Sequence, residues 1–226
     1  MRSDTSFDTR FDAVVLAGGR AARLGGTPKP GLVVAGATLL DHALAATRDA
    51  ERTVVVGPPE ALPGAVLGAH PGRRLARTRE DPPFGGPVAG IDAGLRASDG
   101  GPAAPWVVVL AVDVPRAASA VPHVVDALAG LPTRADGAWL VRGAHPQWLV
   151  GGYRRDALLA ALDDVRDAAG SVHDVPVKRL VACLACVGIP DTAGWSDDVD
   201  TWEDVRAMSA GPGSGATRSR VGEGTA

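Results

Sequence analysis

A short apolar run, Val14-Val15-Leu16-Ala17, stops at Gly18-Gly19 and continues as Arg20-Ala21-Ala22-Arg23-Leu24-Gly25-Gly26-Thr27-Pro28-Lys29-Pro30. Residues without a Cβ can turn sharply and let a ligand approach the main chain. Their N–H groups can bond phosphate oxygens, and Arg20, Arg23 and Lys29 can neutralise phosphate charge. The chemistry open to this set is to hold a nucleoside triphosphate over the end of a first strand. Spacing excludes two better-known phosphate loops. A dinucleotide fingerprint needs G-x-G-x-x-G, which the doublet does not supply. A P-loop needs G-x-x-x-x-G-K-[ST], and counting from Gly19 its second glycine falls on Leu24. The plainer alternative is a glycine-rich turn with solvated arginines.

Acidic residues follow further on. Trp106-Val107-Val108-Val109-Leu110-Ala111-Val112 is apolar without alternation, as expected of a strand covered on both faces, and it ends at Asp113. Ligands of open α/β sheets bind outside the carboxyl ends of the strands. A carboxylate there can hold Mg²⁺ against triphosphate oxygens. Its plainer role is to cap a helix near Ala117 to Leu128. Asp81 precedes Gly85-Gly86-Pro87-Val88-Ala89-Gly90-Ile91, a helix start that can receive a negative group or a base edge. An acidic run, Asp197-Asp198-Val199-Asp200, leads into Thr201 and Asp204, which read as a capping box. From chemistry alone, Asp200 is equally a metal ligand or a charge favouring the helix N-terminus. No Ser-His-Asp set or G-x-S-x-G elbow is evident, and phosphate transfer needs none.

In order and spacing these motifs resemble the nucleotidyltransferases with a molybdenum cofactor guanylyltransferase-like fold. The resemblance rests on Leu16-Ala17-Gly18-Gly19, Arg23-Leu24-Gly25-Gly26, Lys29, Gly86-Pro87-Val88-Ala89-Gly90-Ile91, Asp113 and Asp198-Val199-Asp200-Thr201, and spans Phe11 to about Met208. Two departures are visible: Pro28 stands where the family has Asp, and Trp202 where it has Pro. The resemblance implies that Leu16, Ala17, Gly18, Gly19, Arg20, Lys29, Asp81 and Gly86 bind the nucleotide. It implies catalytic roles for Arg23, Lys29 and Asp113, with Mg²⁺ held by Asp113 and Asp200. The implied donor is GTP and the implied acceptor molybdopterin, with pyrophosphate released. A cytidylyltransferase or a sugar-phosphate nucleotidyltransferase of the same fold would share these motifs. So, in a different class, would a non-catalytic nucleotide-binding module.

The elements that must position these residues alternate between strand and helix. That pattern predicts a three-layer α/β/α, Rossmann-like fold, its sheet mostly parallel with an antiparallel element. Strands are expected at Phe11 to Ala17, Arg52 to Val56, within Arg73 to Asp81, and at Trp106 to Val112. Asp136 to Val141 and Gln147 to Tyr153 read as a hairpin across Arg142 to Pro146, where His145 and Gln147 are weaker candidates for a polar contact. Thr38 with Asp41 reads as a capping box for a helix reaching about Arg48, with His42 in its first turn. Arg154 to Val165 carries a helical stripe, and Ser171 to Asp174 is expected to cap a further short helix. Leu180 to Val187, containing Cys183 and Cys186, reads as one buried strand with two inert core cysteines.

The 226 residues suffice for one domain with a full core, and 46% hydrophobic content with a formal charge of −3 marks an ordinary globular chain. We expect a flexible arm over residues 1–10, a nucleotidyltransferase domain over 11–210 and a disordered tail over 211–226. A mildly acidic chain lacks the broad basic face of nucleic-acid binders. The N-terminus has no apolar signal core, and the run Leu180 to Ile189 is too short to span a bilayer, so a cytoplasmic location is expected, with no membrane partner.

Overall fold

The computed structural model describes residues 8–19, 27–64, 66, 74–97 and 101–210. Arg20, Arg23, most of the expected N-terminal arm and the expected C-terminal tail lie outside these residues.

Among the described residues, seven strands form one sheet, ordered β5-β4-β1-β6-β8-β7-β9. They are β1 (Phe11–Leu16), β4 (Thr53–Val56), β5 (Leu75–Thr78), β6 (Trp106–Ala111), β7 (Gly137–Arg142), β8 (His145–Arg154) and β9 (Cys186–Pro190). The short strands β2 (Val33–Val34) and β3 (Ala37–Thr38) form a separate antiparallel pair. In the large sheet β8 alone runs against its neighbours β6 and β7. The remaining pairings are parallel. The fold is the expected mostly parallel α/β sheet with one antiparallel element.

Side-chain alternation explains the layers. In β1, Val15 joins a core on one face with Val55, Val108 and Leu110. Val14 joins a second core on the other face with Val54, Val107 and Val109. The first face is covered by α1 (Leu39–Ala46) and α3 (Ala117–Ala129), through Leu39, Leu44, Val121 and Val124. The second is covered by α2 (Gly86–Arg96), α4 (Arg155–Ala169) and α5 (Val177–Val181), through Ile91, Leu158, Leu162 and Leu180. A strand buried on both faces has no reason to alternate polar and apolar residues, and β6 does not.

Local signals set several boundaries. The capping box at Thr38 is formed: its hydroxyl accepts from Asp41 N at 3.0 Å, and the Asp41 carboxylate accepts from Thr38 N at 3.1 Å. Thr201 and Asp204 repeat it at the start of α6 (Trp202–Ser209). The hairpin turn is shorter than expected, because β7 continues to Arg142 and β8 begins at His145. Gly143, at φ +60°, makes this tight turn possible.

Two expectations are corrected. Leu180 to Val187 is not one strand. Leu180 and Val181 end α5, a turn follows, and β9 starts at Cys186. An apolar run has no periodicity to tell a helix end from a strand start. The junction is fixed from a distance: Asp136 Oδ2 accepts from Ala185 N at 2.8 Å, and Ala185 O accepts from Asp136 N at 2.7 Å. Cys183 is therefore exposed and Cys186 only half-buried, so they are not a pair of core residues. Ser171 to Asp174 forms a turn, and α5 starts later, behind Pro176. No helix among the described residues is long and apolar enough to cross a membrane.

Candidate active site

From β1 the chain passes to β4 and β5 on one side, while β6 pairs with β1 on the other. Strand order thus reverses at the β1–β6 boundary, and the loops leaving these two strands diverge to open a crevice. Leu16 is in register with Ala111, so Ala17–Gly19 and Val112–Asp113 emerge side by side. Val112 N donates to Leu16 O at 3.0 Å and Ala17 N to Val56 O at 2.8 Å, which fixes both exits to the sheet. Gly19 sits at φ +127°, a conformation that side-chain-bearing residues rarely adopt, and nothing lies within 4 Å of where its Cβ would be. The turn is open to a ligand.

The acidic run arrives from the far end of the chain. Val199 N donates to Asp113 O at 2.9 Å, and the Val199 side chain is fully buried. With Val199 pointing into the core, its two neighbours project the other way. One carboxylate oxygen from each of Asp113, Asp198 and Asp200 lies within 4.8 Å of the others. A loop centred on Asp191 leads into this segment. The buried Asp191 carboxylate accepts from Ala193 N, Trp195 N, Ser196 N and Ser196 Oγ at 2.6–3.2 Å. Burial would raise its pKa, but these hydrogen bonds outweigh burial and hold it below the usual carboxylate range.

Lys29 enters from a single 3₁₀ turn, Lys29–Gly31. Its Nζ lies 2.6 Å from Asp113 Oδ2 and 2.7 Å from Asp200 Oδ1. Burial would depress the ammonium pKa, but the Asp113 and Asp200 carboxylates outweigh burial and raise it above the ordinary lysine value. Asp198 is pushed up, by burial first and then by the like charges of Asp113 and Asp200. Among the described residues, the three carboxylates of this cluster meet the Lys29 ammonium. An all-oxygen set at this spacing suits a hard divalent cation.

Two adjoining cavities, of about 580 and 490 Å³, open at this edge and share Gly18, Gly19, Lys29, Glu80 and Phe84. The first also takes Asp113, Asp200, Gly86 and Gly90 into its walls, and the second Ala17, Pro58, Ala61 and Arg79. The start of α2 lines the first cavity and carries no side-chain cap.

The expected site residues Leu16, Ala17, Gly18, Gly19, Lys29, Gly86, Asp113 and Asp200 all meet at these cavities. Asp81 is exposed and lines neither; the carboxylate that lines both belongs to its neighbour Glu80. Gln147 turns to the His145 carbonyl at 3.3 Å, and the nearby wall residue is Leu149. His42 Nε2 lies 2.9 Å from Val34 O, packing α1 on β2. Sequence reasoning missed Asp198 as a partner of Asp113. Its signal was the alternation of Asp198 and Asp200 about an apolar Val199.

Fold and site together define an α/β protein of Rossmann-like architecture with an acidic cluster beside an open glycine turn. The chain belongs to the family of MobA-like NTP transferase domains, whose model matches residues 13–180. A molybdenum cofactor guanylyltransferase of Sinorhizobium fredii is 34% identical over 116 residues, 51% of each chain, so the match spans about half the length of that relative. The solved structure of a homologue of Mycobacterium tuberculosis Rv0371c, from Mycobacterium sp. strain JC1, superposes with a TM-score of 0.63 at 26% identity, over 89% of this chain and 96% of that one. A 4-diphosphocytidyl-2C-methyl-D-erythritol synthase from Anaerococcus prevotii superposes with a TM-score of 0.68 over 92% of this chain and 98% of that one. Its 13% identity makes it a likeness of fold alone.

Proposed function

We propose that this protein transfers a nucleoside monophosphate from GTP to a terminal phosphate on molybdopterin, releasing pyrophosphate. The carrying observation is the Asp113–Asp198–Asp200 cluster beside the open Gly18–Gly19 turn, at the point where strand order reverses. The identity of the molybdenum cofactor guanylyltransferase relative supports the donor and acceptor; the cluster supports the reaction.

In this reading the triphosphate lies along Gly18 and Gly19, its oxygens accepting from main-chain N–H groups. Asp113 and Asp200, with Asp198, would hold Mg²⁺, which would supply charge neutralisation on the triphosphate. An acceptor phosphate oxygen attacks the α-phosphorus in line. The new P–O bond forms as the bond from the α-phosphorus to the bridging oxygen breaks, and that oxygen departs with pyrophosphate. No proton need be removed from the nucleophile, because a phosphate oxygen is already ionised. Lys29 leaves its carboxylates to neutralise charge on the transferred and leaving groups, and Glu80 faces the nucleotide.

A thermal-shift panel of GTP, CTP, UTP, ATP and dTTP with Mg²⁺ tests the donor, because a ligand of the folded state raises its apparent stability. GTP should give the largest rise. Pyrophosphate release with molybdopterin then separates an enzyme from a nucleotide-binding module. A larger rise and faster release with CTP would make the protein a cytidylyltransferase.

A further inference from the structure

Phe84 stands at the partition between the two cavities and lines both. The residue is 53% exposed, unusual for one with so large an apolar side chain. Its backbone is at φ +69°, the left-handed region that an aromatic residue rarely occupies. Such a conformation persists only where its surroundings impose it. Here they do so from several directions. Glu80 Oε1 accepts from Phe84 N at 3.0 Å. Asp174 N donates to Gly85 O at 2.8 Å. His173 packs so closely that a Cβ on Gly85 would lie 2.2 Å from its Nδ1. The Arg79 guanidinium lies 5.3 Å from the ring centroid. The fold thus holds a flat apolar ring, in a strained conformation, against both cavities.

We infer that Phe84 is the stacking platform for the nucleobase of the donor nucleotide. The inference rests on the proposed nucleotidyl transfer. The reacting phosphorus and the acceptor phosphate must both lie at Asp113 and Asp200, which line the first cavity. The base is carried a ribose away. The second cavity includes neither Asp113 nor Asp200 in its walls, and Ala17, Pro30, Pro58 and Ala61 give it apolar surface beside Arg79. Those walls and the Phe84 ring offer apolar faces to a planar heterocycle. Stacking recognises the face of a base and so adds affinity without choosing among bases. The choice falls to polar groups at the edge, where Glu80 and Arg79 stand.

The test measures equilibrium binding of GTP and of inorganic tripolyphosphate, each with Mg²⁺, to the wild type, Phe84→Ala, Phe84→Gly and Phe84→Trp. The wild type should bind both. Phe84→Ala and Phe84→Gly should lose GTP affinity by roughly tenfold or more, the scale of one base–aromatic stack, while tripolyphosphate affinity stays unchanged. Phe84→Trp should restore GTP binding. A ring that serves only to shape the loop would weaken both ligands together, and that result overturns the proposal. So does unchanged GTP affinity in Phe84→Ala. If the wild type binds no nucleoside triphosphate, the nucleotidyl-transfer reading itself fails.

Discussion

Lys29 and Asp113, 84 positions apart, meet as a part-buried ion pair with Nζ 2.6 Å from Oδ2. The same ammonium reaches Asp200 at 2.7 Å. One cation therefore occupies the gap between the carboxylates suited to a divalent metal.

Removing that cation should have two separable effects. Lys29→Met removes the ammonium that Asp113 and Asp200 share. Without divalent ions the variant should lose about 2 kcal/mol of stability, and Mg²⁺ should restore more of its Tm than it adds to the wild type. Its kcat should fall more than its nucleotide affinity, because the ammonium acts on charge that develops in the transition state. Lys29→Arg should fall between, since a planar fork cannot place one compact charge among crowded phosphate oxygens. Urea unfolding and steady-state kinetics of both variants check this. Wild-type kinetics in Lys29→Met would make the lysine a solvated loop residue.

The Asp191 carboxylate should act as a pH-dependent fastener for the segment that carries Asp198 and Asp200. Its folded-state pKa lies below its unfolded value, so its stabilisation is complete above about pH 4 and is lost as pH falls through the lower folded value. Asp191→Asn should cost about 1–3 kcal/mol at neutral pH, because an amide replaces one acceptor oxygen with a donor facing other donors. The difference from wild type should shrink as the medium becomes acidic. Urea denaturation at neutral pH and at progressively more acidic pH measures it; a difference independent of pH would contradict the role.

The two thiols should react differently. Cys183 is exposed, whereas burial, and then the Asp136 carboxylate, push the Cys186 thiol up to about 12. A thiol reagent at neutral pH should therefore modify one cysteine quickly in the folded protein and the second only after unfolding. Activity should be indifferent to reductant. Two equally fast thiols, or stoichiometric bound zinc, would refute this.

How far the sequence discloses the structure depends on the kind of interaction. β6 was legible because an uninterrupted apolar run before a carboxylate admits few readings. The capping boxes at Thr38 and Thr201 were legible because each is complete within a few residues. The Leu180 to Val187 run was not, because the group that ends the helix and starts the strand is Asp136, 49 residues from Ala185. For the same reason the sequence points to Lys29 and Asp200 separately but not to their pairing, which spans 171 positions. Glu80 and Asp81 are adjacent carboxylates, and only the path of the backbone into Phe84 decides which of them faces the cavity.

Pyrophosphate release by Asp113→Asn tests the role of the carboxylate cluster most directly. The substitution removes one charge from the Lys29 site while keeping the side chain's shape. With GTP, Mg²⁺ and molybdopterin, the wild type should release pyrophosphate only when the metal is present. Asp113→Asn should fold but turn over at least about a hundredfold more slowly, as expected when a group placed to organise transition-state charge is lost. Release by Asp113→Asn at the wild-type kcat/KM, or metal-independent release by the wild type, would contradict the assignment of this cluster as the reaction centre.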